Sequence, residues 1–396
     1  MWDIYAIGVG IVDFLTMRVY TKNNDKINEN GEIKMLKKLY KLGELTLRQK
    51  YIEQEREKHT LVDLFWECTL TCNAKCKHCG SSAEKKKYDG ELTTEEIKSA
   101  FKQIANDMDA TKILINVTGG EPLVRKDLFD VMEYATNELG FHWGMTTNGI
   151  LLNDENIEKL RKANMETISI SIDGLQETHD TFRGVPGAYE IIIKNIQKLR
   201  QAGYAKHIQV TTVFHKDNIN QLEELYNVML GLNLDSWRLV SMDPIGRANE
   251  NNELLLDGKE IRKLLDFIKS KKKDKRLVLE YGCPGFLGLE YEKEVRRNYF
   301  YCRTGINVAS ILYNGDLFVC PNVPRMSRFI QGNIRKDNFK NVWNNKYKEF
   351  RKKDRTKCDE CNKCKYWEYC LGGAFHTWNF NNNMQNKCTY KMINKM

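Results

Sequence analysis

Cys72-Asn-Ala-Lys-Cys76-Lys-His-Cys79 sets three thiols at the spacing C-x3-C-x2-C. Thiolates are the usual ligands of iron–sulfur clusters, and three of them on a four-iron cube leave one iron open to a substrate or cofactor. Zinc is the plainer alternative, but it ordinarily takes four protein ligands, or three and a water. His78 would have to be the fourth here, and as the neighbour of Cys79 it is badly placed to share one metal. A second set of thiols follows much later, as Cys302-x12-Gly315-x4-Cys320, then Cys361-x2-Cys364-x5-Cys370-Leu-Gly-Gly, then Cys388. Zinc ribbons share part of that spacing. Cys283, Cys358 and Cys68 stand outside these runs, and Cys68, in an apolar segment, reads as a buried free thiol.

The distribution of the cysteines separates metal from disulfide. Of 12, four lie between positions 68 and 79, none between 80 and 282, and eight between 283 and 388. A disulfide framework gives no reason to leave the middle bare, whereas two metal-binding regions around a cysteine-free body give one. A cytoplasmic enzyme is the expectation. No segment reaches the roughly 20 apolar residues of a membrane span. The apolar stretch 5–17 is short, contains Asp13 and lacks the basic start and cleavage site of a signal peptide. With 41% hydrophobic and 29% charged residues, the chain has the makings of a sizeable core plus a smaller domain. The net charge of +9 favours acidic partners without naming one. The run Lys271-Lys272-Lys273-Asp274-Lys275-Arg276 reads as a solvated helix end.

The elements that must position these thiols alternate. A charged helix is predicted over 32–58. Strands follow near 61–70, 112–117, 142–147, 166–172, 207–214 and 237–242, with helices near 94–108, 126–139, 154–163, 188–202, 218–232 and 258–270. Thr93 and Glu96 form the signature of a capping box before the first of these helices. Six strands alternating with helices predict an α/β fold, a partial (β/α)6 barrel of parallel strands with right-handed crossovers. In such barrels the chemistry collects where strands end and helices begin. The rhythm stops near Gly282, which gives an extension over 1–60, a barrel over 61–281 and a cysteine-rich domain over 282–396.

The cysteine motif resembles that of the radical S-adenosylmethionine (SAM) superfamily, and further motifs agree in order. Gly119-Gly120-Glu121-Pro122 after the second strand is similar to the family's GGEP, whose backbone pairs with the methionine amino group of SAM and whose glycines permit a close approach. Thr147-Asn148-Gly149 and Ser169-Ile-Ser171-Ile-Asp173-Gly174 end the next two strands, and the resemblance implies contacts there to the ribose and carboxylate of SAM. In His179-Asp180-Thr-Phe-Arg183-Gly184 it implies that Arg183 pairs with that carboxylate. Pro244-Ile-Gly246-Arg247-Ala248 resembles a turn near the adenine, and His78 takes the place of an adenine-contacting aromatic. The later cysteines resemble the SPASM extension, which carries up to two auxiliary clusters. Cys361, Cys364, Cys370 and Cys388 match the four ligands of the outer one. Cys302 and Cys320 match the inner one, but Ala374 stands where a further cysteine belongs, so Cys283 and Cys358 are the candidates to complete it. An open iron or a two-iron cluster are the alternatives.

The resemblance spans about 61–390 and implies that a reduced [4Fe–4S] cluster cleaves S-adenosylmethionine to methionine and a 5′-deoxyadenosyl radical, which abstracts hydrogen from an unactivated C–H bond. The cofactor carries this chemistry and the protein orients and shields it. A peptide is the first substrate reading, with maturation by crosslink, thioether or epimerisation, and Cys283 is then a candidate hydrogen donor. A tetrapyrrole or other cofactor precursor is the second. Sulfatase maturation is disfavoured because Pro321, not aspartate, follows Cys320. A flavodoxin- or ferredoxin-type electron donor is implied. Residues 1–60 are short for a leader-binding winged helix, which leaves leader recognition to a separate protein or to the charged helix. No membrane and no nucleic acid is expected as partner. The reading from another class is a non-catalytic zinc or nucleic-acid-binding protein, which would have no use for motifs at successive strand ends.

Overall fold

The computed structural model describes residues 32–283 and 285–394, and the apolar stretch 5–17 lies outside them. The chain divides into two compact units, Met1–Leu47 and Arg48–Met396. Helix α1, Glu32–Lys58, is built of Lys, Glu, Leu and Arg, all good helix formers. Within the second unit the Arg48 guanidinium lies 4.6 Å from the ring centres of both Tyr51 and Tyr301, and Gln49 Nε2 donates to the Tyr369 carbonyl at 3.1 Å.

The body is a parallel sheet in sequence order: β1 Asp63–Thr69, β2 Leu114–Gly119, β3 His142–Thr147, β4 Thr167–Ser171, β5 His207–Phe214, β6 Ser236–Ser241 and β7 Val278–Tyr281. The crossovers carry α2 Thr94–Asp107, α3 Leu128–Glu133, α4 Asp154–Lys162, α5 Gln176–Arg183, α6 Ala188–Ala202, α7 Leu222–Gly231 and α8 Gly258–Lys271. Alternation explains the strands: in β5, Ile208, Val210, Thr212 and Phe214 are buried and their neighbours are not. Helical spacing explains α2, which buries Ile97, Ala100, Phe101 and Ile104 and begins at the expected Thr93–Glu96 capping box. Phe101 meets the buried Trp66 of β1 edge-on at 5.6 Å, and each such ring contributes about 2–3 kcal/mol through burial.

Two features differ from the sequence-based expectation. A seventh parallel strand, β7, extends the sheet beyond β6, a run of four residues too short to show a period. The cysteine-rich segment also adds strands to the same sheet. Its strand β8, Val308–Ile311, pairs parallel with β1, and β9 Asp316–Phe318 and β10 Ile330–Asn333 follow antiparallel, giving the order β10-β9-β8-β1-β2-β3-β4-β5-β6-β7. All four residues of β8 are buried, so pairing with β1 is what removes them from water. Among the described residues, no helix is long and apolar enough to cross a membrane.

Candidate active site

The loop carrying Cys72, Cys76 and Cys79 leaves the C-terminal end of β1. It has almost no secondary structure of its own, so its backbone groups are satisfied from outside. Cys72 N–H donates to Glu84 O at 2.9 Å, while Lys75 N–H and Lys77 N–H donate to Arg183 O and Phe182 O at 3.1 and 3.0 Å. Arg247, expected near the adenine, serves the loop: its Nε donates to Cys76 O at 2.9 Å, its Nη1 to Ala83 O at 2.8 Å and its own N–H to Cys79 O at 3.1 Å. Gly246 allows this approach, because at φ +59° a Cβ would stand 2.4 Å from Cys79 O. Exits of β4 and β6 thus hold the loop from two sides. Burial pushes the Cys72 thiol up to about 11 and raises Cys76 as well, against the pull of Arg183 on the latter.

The other strand ends gather around this loop. Glu121 is fully buried and clamps the rim: Oε1 accepts from Thr147 Oγ1 at 2.7 Å and from Leu123 N–H at 3.2 Å, and Oε2 accepts from Asn148 N–H at 2.8 Å. Burial raises its carboxyl despite these bonds. Asn148 Nδ2 donates to Asn73 Oδ1 at 2.7 Å, which ties the rim to the cysteine loop. Gly119 and Gly120 are required by β1 itself: a Cβ on either would lie 2.2 Å from the carbonyl oxygen of Thr69 or Thr71. Ser169 Oγ shares a 2.8 Å hydrogen bond with Thr211 Oγ1, and Ser171 is buried at the end of β4. Asp173, also fully buried, accepts from Arg183 Nε at 2.6 Å and from Val213 N–H at 2.7 Å. Arg183 Nη1 points to Cys76 Sγ at 3.7 Å. His78 stacks on Phe182 at 4.7 Å and Phe182 on His215 at 3.9 Å. Burial lowers His78 to about 3, so its imidazole is neutral, and its Nδ1 is buried without a partner.

The C-terminal cysteines form two groups, and all 12 cysteines are free. Cys361, Cys364, Cys370 and Cys388 line one cavity together with Cys358. Cys358, expected to complete the inner group, instead donates to Cys361 Sγ at 3.4 Å, because the turn that follows bonds Cys361 N–H and Asn362 N–H to its carbonyl. Cys302, Cys320 and Cys283 lie near enough to influence one another electrostatically. Burial pushes the Cys320 thiol up to about 12, and neighbouring Cys302 and Cys283 add to the rise. Burial would raise Cys302 too, but Arg355, Thr304 and the Phe375 N–H outweigh it and leave it lowered. Beside Ala374, that N–H stands 3.4 Å from Cys302 Sγ.

Residues 66–229 match the Radical SAM superfamily, and residues 302–365 match SPASM, an iron-sulfur cluster-binding domain. The chain carries a radical SAM domain followed by a SPASM domain. The AdoMet-dependent heme synthase of Methanosarcina barkeri is 29% identical over 324 residues, 78% of this chain and 89% of the relative. The mycofactocin maturase MftC of Mycolicibacterium smegmatis is 29% identical over 340 residues, 82% of this chain and 80% of the relative. In fold, Streptococcus suis SuiB bound to S-adenosylmethionine superposes with a TM-score of 0.63 at 17% identity, covering 94% of this chain and 83% of that one. For anSMEcpe with bound AdoMet the TM-score is 0.66 at 19% identity, with 84% and 90% covered.

The cofactors that go with these two domains are a [4Fe–4S] cluster, S-adenosylmethionine and one or two auxiliary iron–sulfur clusters. No three metal-ligating side chains among the described residues already close on one ion. The donor set nevertheless fits: three thiols on one externally strapped loop, a cationic donor at one sulfur, and an unpartnered buried His78 Nδ1 beside them. A polar network with no signal in the sequence joins the end of β6 to the C-terminal segment. Lys387 Nζ donates to Asp243 Oδ1 at 2.6 Å and to Ser241 Oγ at 2.9 Å, and His376 Nε2 lies 3.2 Å from Asp243 Oδ2. Lys387 adjoins Cys388 and His376 follows Phe375, so both hung from cluster motifs, but nothing in the sequence pairs them with Asp243.

Proposed function

We propose that this chain modifies a peptide by radical chemistry, with the catalytic cluster on Cys72, Cys76 and Cys79. The observation that carries the radical step is the loop itself: three thiols at the C-terminal end of β1, strapped by Arg183 and Arg247 from the segments that follow β4 and β6. Cluster and S-adenosylmethionine, when bound, supply one-electron cleavage of the cofactor's sulfonium and, through it, hydrogen-atom abstraction. Around them this chain's residues do the positioning. Glu121 joins the ends of β2 and β3, so the backbone at Gly120 and Asn148 is held in one register for the methionine and ribose ends of the cofactor. Neutral His78 offers a flat, uncharged face, stacked on Phe182, beside which an adenine ring can lie. Ser169, Ser171 and the Asp173–Arg183 pair line the end of β4. Cys361, Cys364, Cys370 and Cys388 would hold the outer auxiliary cluster, and Cys283, Cys302 and Cys320 the inner one.

The peptide reading is supported by the likeness to the maturase MftC and by a fold shared with SuiB, which has also been seen bound to its precursor peptide SuiA. A tetrapyrrole substrate is the second reading, supported by the heme synthase likeness. The test is anaerobic reconstitution with dithionite, measuring 5′-deoxyadenosine with and without substrate, for wild type and Cys76→Ala. A short-peptide pool should raise 5′-deoxyadenosine above the substrate-free level and change in mass, and Cys76→Ala should abolish both. Turnover with an iron porphyrin alone would replace the peptide reading with the second one, and zinc in place of iron would sink both.

A further inference from the structure

We propose that Arg183 sets the reduction potential of the catalytic cluster by donating a hydrogen bond from Nη1 to the Cys76 sulfur, with Asp173 balancing its charge. The proposal rests on the assignment of that cluster to Cys72, Cys76 and Cys79. The guanidinium has a divided role. Nε and Nη2 both meet Asp173 Oδ2 at 2.6 Å, while Nη1 is turned the other way, 3.7 Å from Cys76 Sγ, a distance at which sulfur accepts. The carboxylate cannot swing, because its second oxygen accepts from Val213 N–H at 2.7 Å. Nor can the sulfur drift. Lys75 N–H and Lys77 N–H, on either side of Cys76, donate to the carbonyls of Arg183 and Phe182, the last two residues of α5. The helix stops there at Gly184, φ +67°, where a Cβ would press on Lys75 O at 3.1 Å. Main-chain bonds and the Asp173 carboxylate together therefore set the spacing between guanidinium and sulfur.

A donor aimed at a ligand sulfur favours the reduced cluster, which carries one more negative charge. An unbalanced arginine would do so strongly. With Asp173 attached, the sulfur receives a directed N–H without a full positive charge beside it. The two partners then act with opposite sign, which a merely structural pair would not do.

The experiment is an EPR-monitored redox titration of the full chain, anaerobically reconstituted and free of S-adenosylmethionine, with the signal assigned by its loss in Cys76→Ala. Arg183→Met should lower the potential and Asp173→Asn should raise it. Each should change the reduced-to-oxidised ratio about tenfold at fixed potential, roughly 59 mV for one electron. The double variant, which removes both charges, should fall below wild type but less than Arg183→Met, and it keeps the test alive if an unbalanced single variant does not fold. Equal potentials, or shifts of the same sign, with the cluster signal intact would overturn the proposal. So would an unchanged potential with weakened S-adenosylmethionine binding in Arg183→Met, which would make Arg183 a partner of the cofactor's carboxylate. Wild type without a [4Fe–4S] signal lost in Cys76→Ala would overturn the underlying cluster assignment as well.

Discussion

The two cysteine regions of this chain are built by opposite means. At the end of β1 three thiols sit on a loop with almost no structure of its own, held by carbonyls and arginines from distant crossovers. In the C-terminal segment two of the outer thiols, Cys361 and Cys370, sit on single helical turns, Asp359–Asn362 and Trp367–Cys370, with Leu371 and Gly372 in the left-handed region to turn the chain back. The first arrangement depends on the whole sheet, the second largely on local backbone. A catalytic centre that must meet a second ligand gains from borrowing its walls from several strand ends, whereas a cluster that needs only enclosure can be wrapped locally.

The sharpest break between the regions is Cys76→Ala. S-adenosylmethionine cleavage should fall to background, while the ultraviolet–visible absorbance of the auxiliary clusters persists; loss of all iron would show the regions to be one assembly unit. Next in size is Lys387→Met, which leaves Asp243 with His376 alone between the domains. Breaking a buried pair of this kind costs about 3 kcal/mol, to be read as a lowered unfolding midpoint, and no change would make the network ornamental. Gly120→Ala pushes a Cβ to 2.2 Å from Thr71 O, and overpacking of this kind costs about 1–3 kcal/mol. Weaker S-adenosylmethionine binding should accompany it, because the β2 rim moves with it, while the auxiliary signals stay unchanged. Cys358→Ala sharpens the comparison further: the outer cavity retains four cysteines and both auxiliary EPR signals should survive, whereas loss of the inner signal would return Cys358 to that group.

The smallest effect concerns pH. Glu96 of α2 bonds Arg335 of the SPASM side, first through that side-chain hydrogen bond, and is held down to about 2. A carboxyl lowered on folding lends stability that is complete above its unfolded pKa, about 4.3, and lost as pH falls toward the folded value. Glu96→Gln should therefore flatten the acid limb of a urea-midpoint profile of the metal-free chain between about pH 4.3 and 2. The exposed pair contributes only a few tenths of a kcal/mol at most, so an unchanged limb would place acid sensitivity in the buried carboxylates.

Much of the barrel was legible from short-range pattern. Ile208, Val210, Thr212 and Phe214 alternate, Ile97, Phe101 and Ile104 recur at helical spacing, and Thr93 with Glu96 marks a helix start. Gly119 and Gly120 were legible as required glycines, and the structure adds a reason the sequence did not show, the approach of the carbonyls of Thr69 and Thr71. Arg247 was legible as a conspicuous arginine after β6, and its loop-strapping bonds were not, since Cys76 and Ala83 lie more than 160 residues away. Val278–Tyr281 and Val308–Ile311 escaped because four residues carry no period; only their pairing with β6 and β1 makes them strands.

By itself the sequence determined where the thiols gather, in two regions, and the alternation of strand and helix between them, because thiol spacing and apolar periodicity are properties of neighbours along the chain. The tertiary structure alone decided that the cysteine-rich segment completes the sheet beside β1, that Cys358 belongs with Cys361, and that Arg183 stands between Asp173 and Cys76. Each of those is a meeting of groups through space, set by backbone hydrogen bonds and burial between segments whose order in the chain says nothing of their distance.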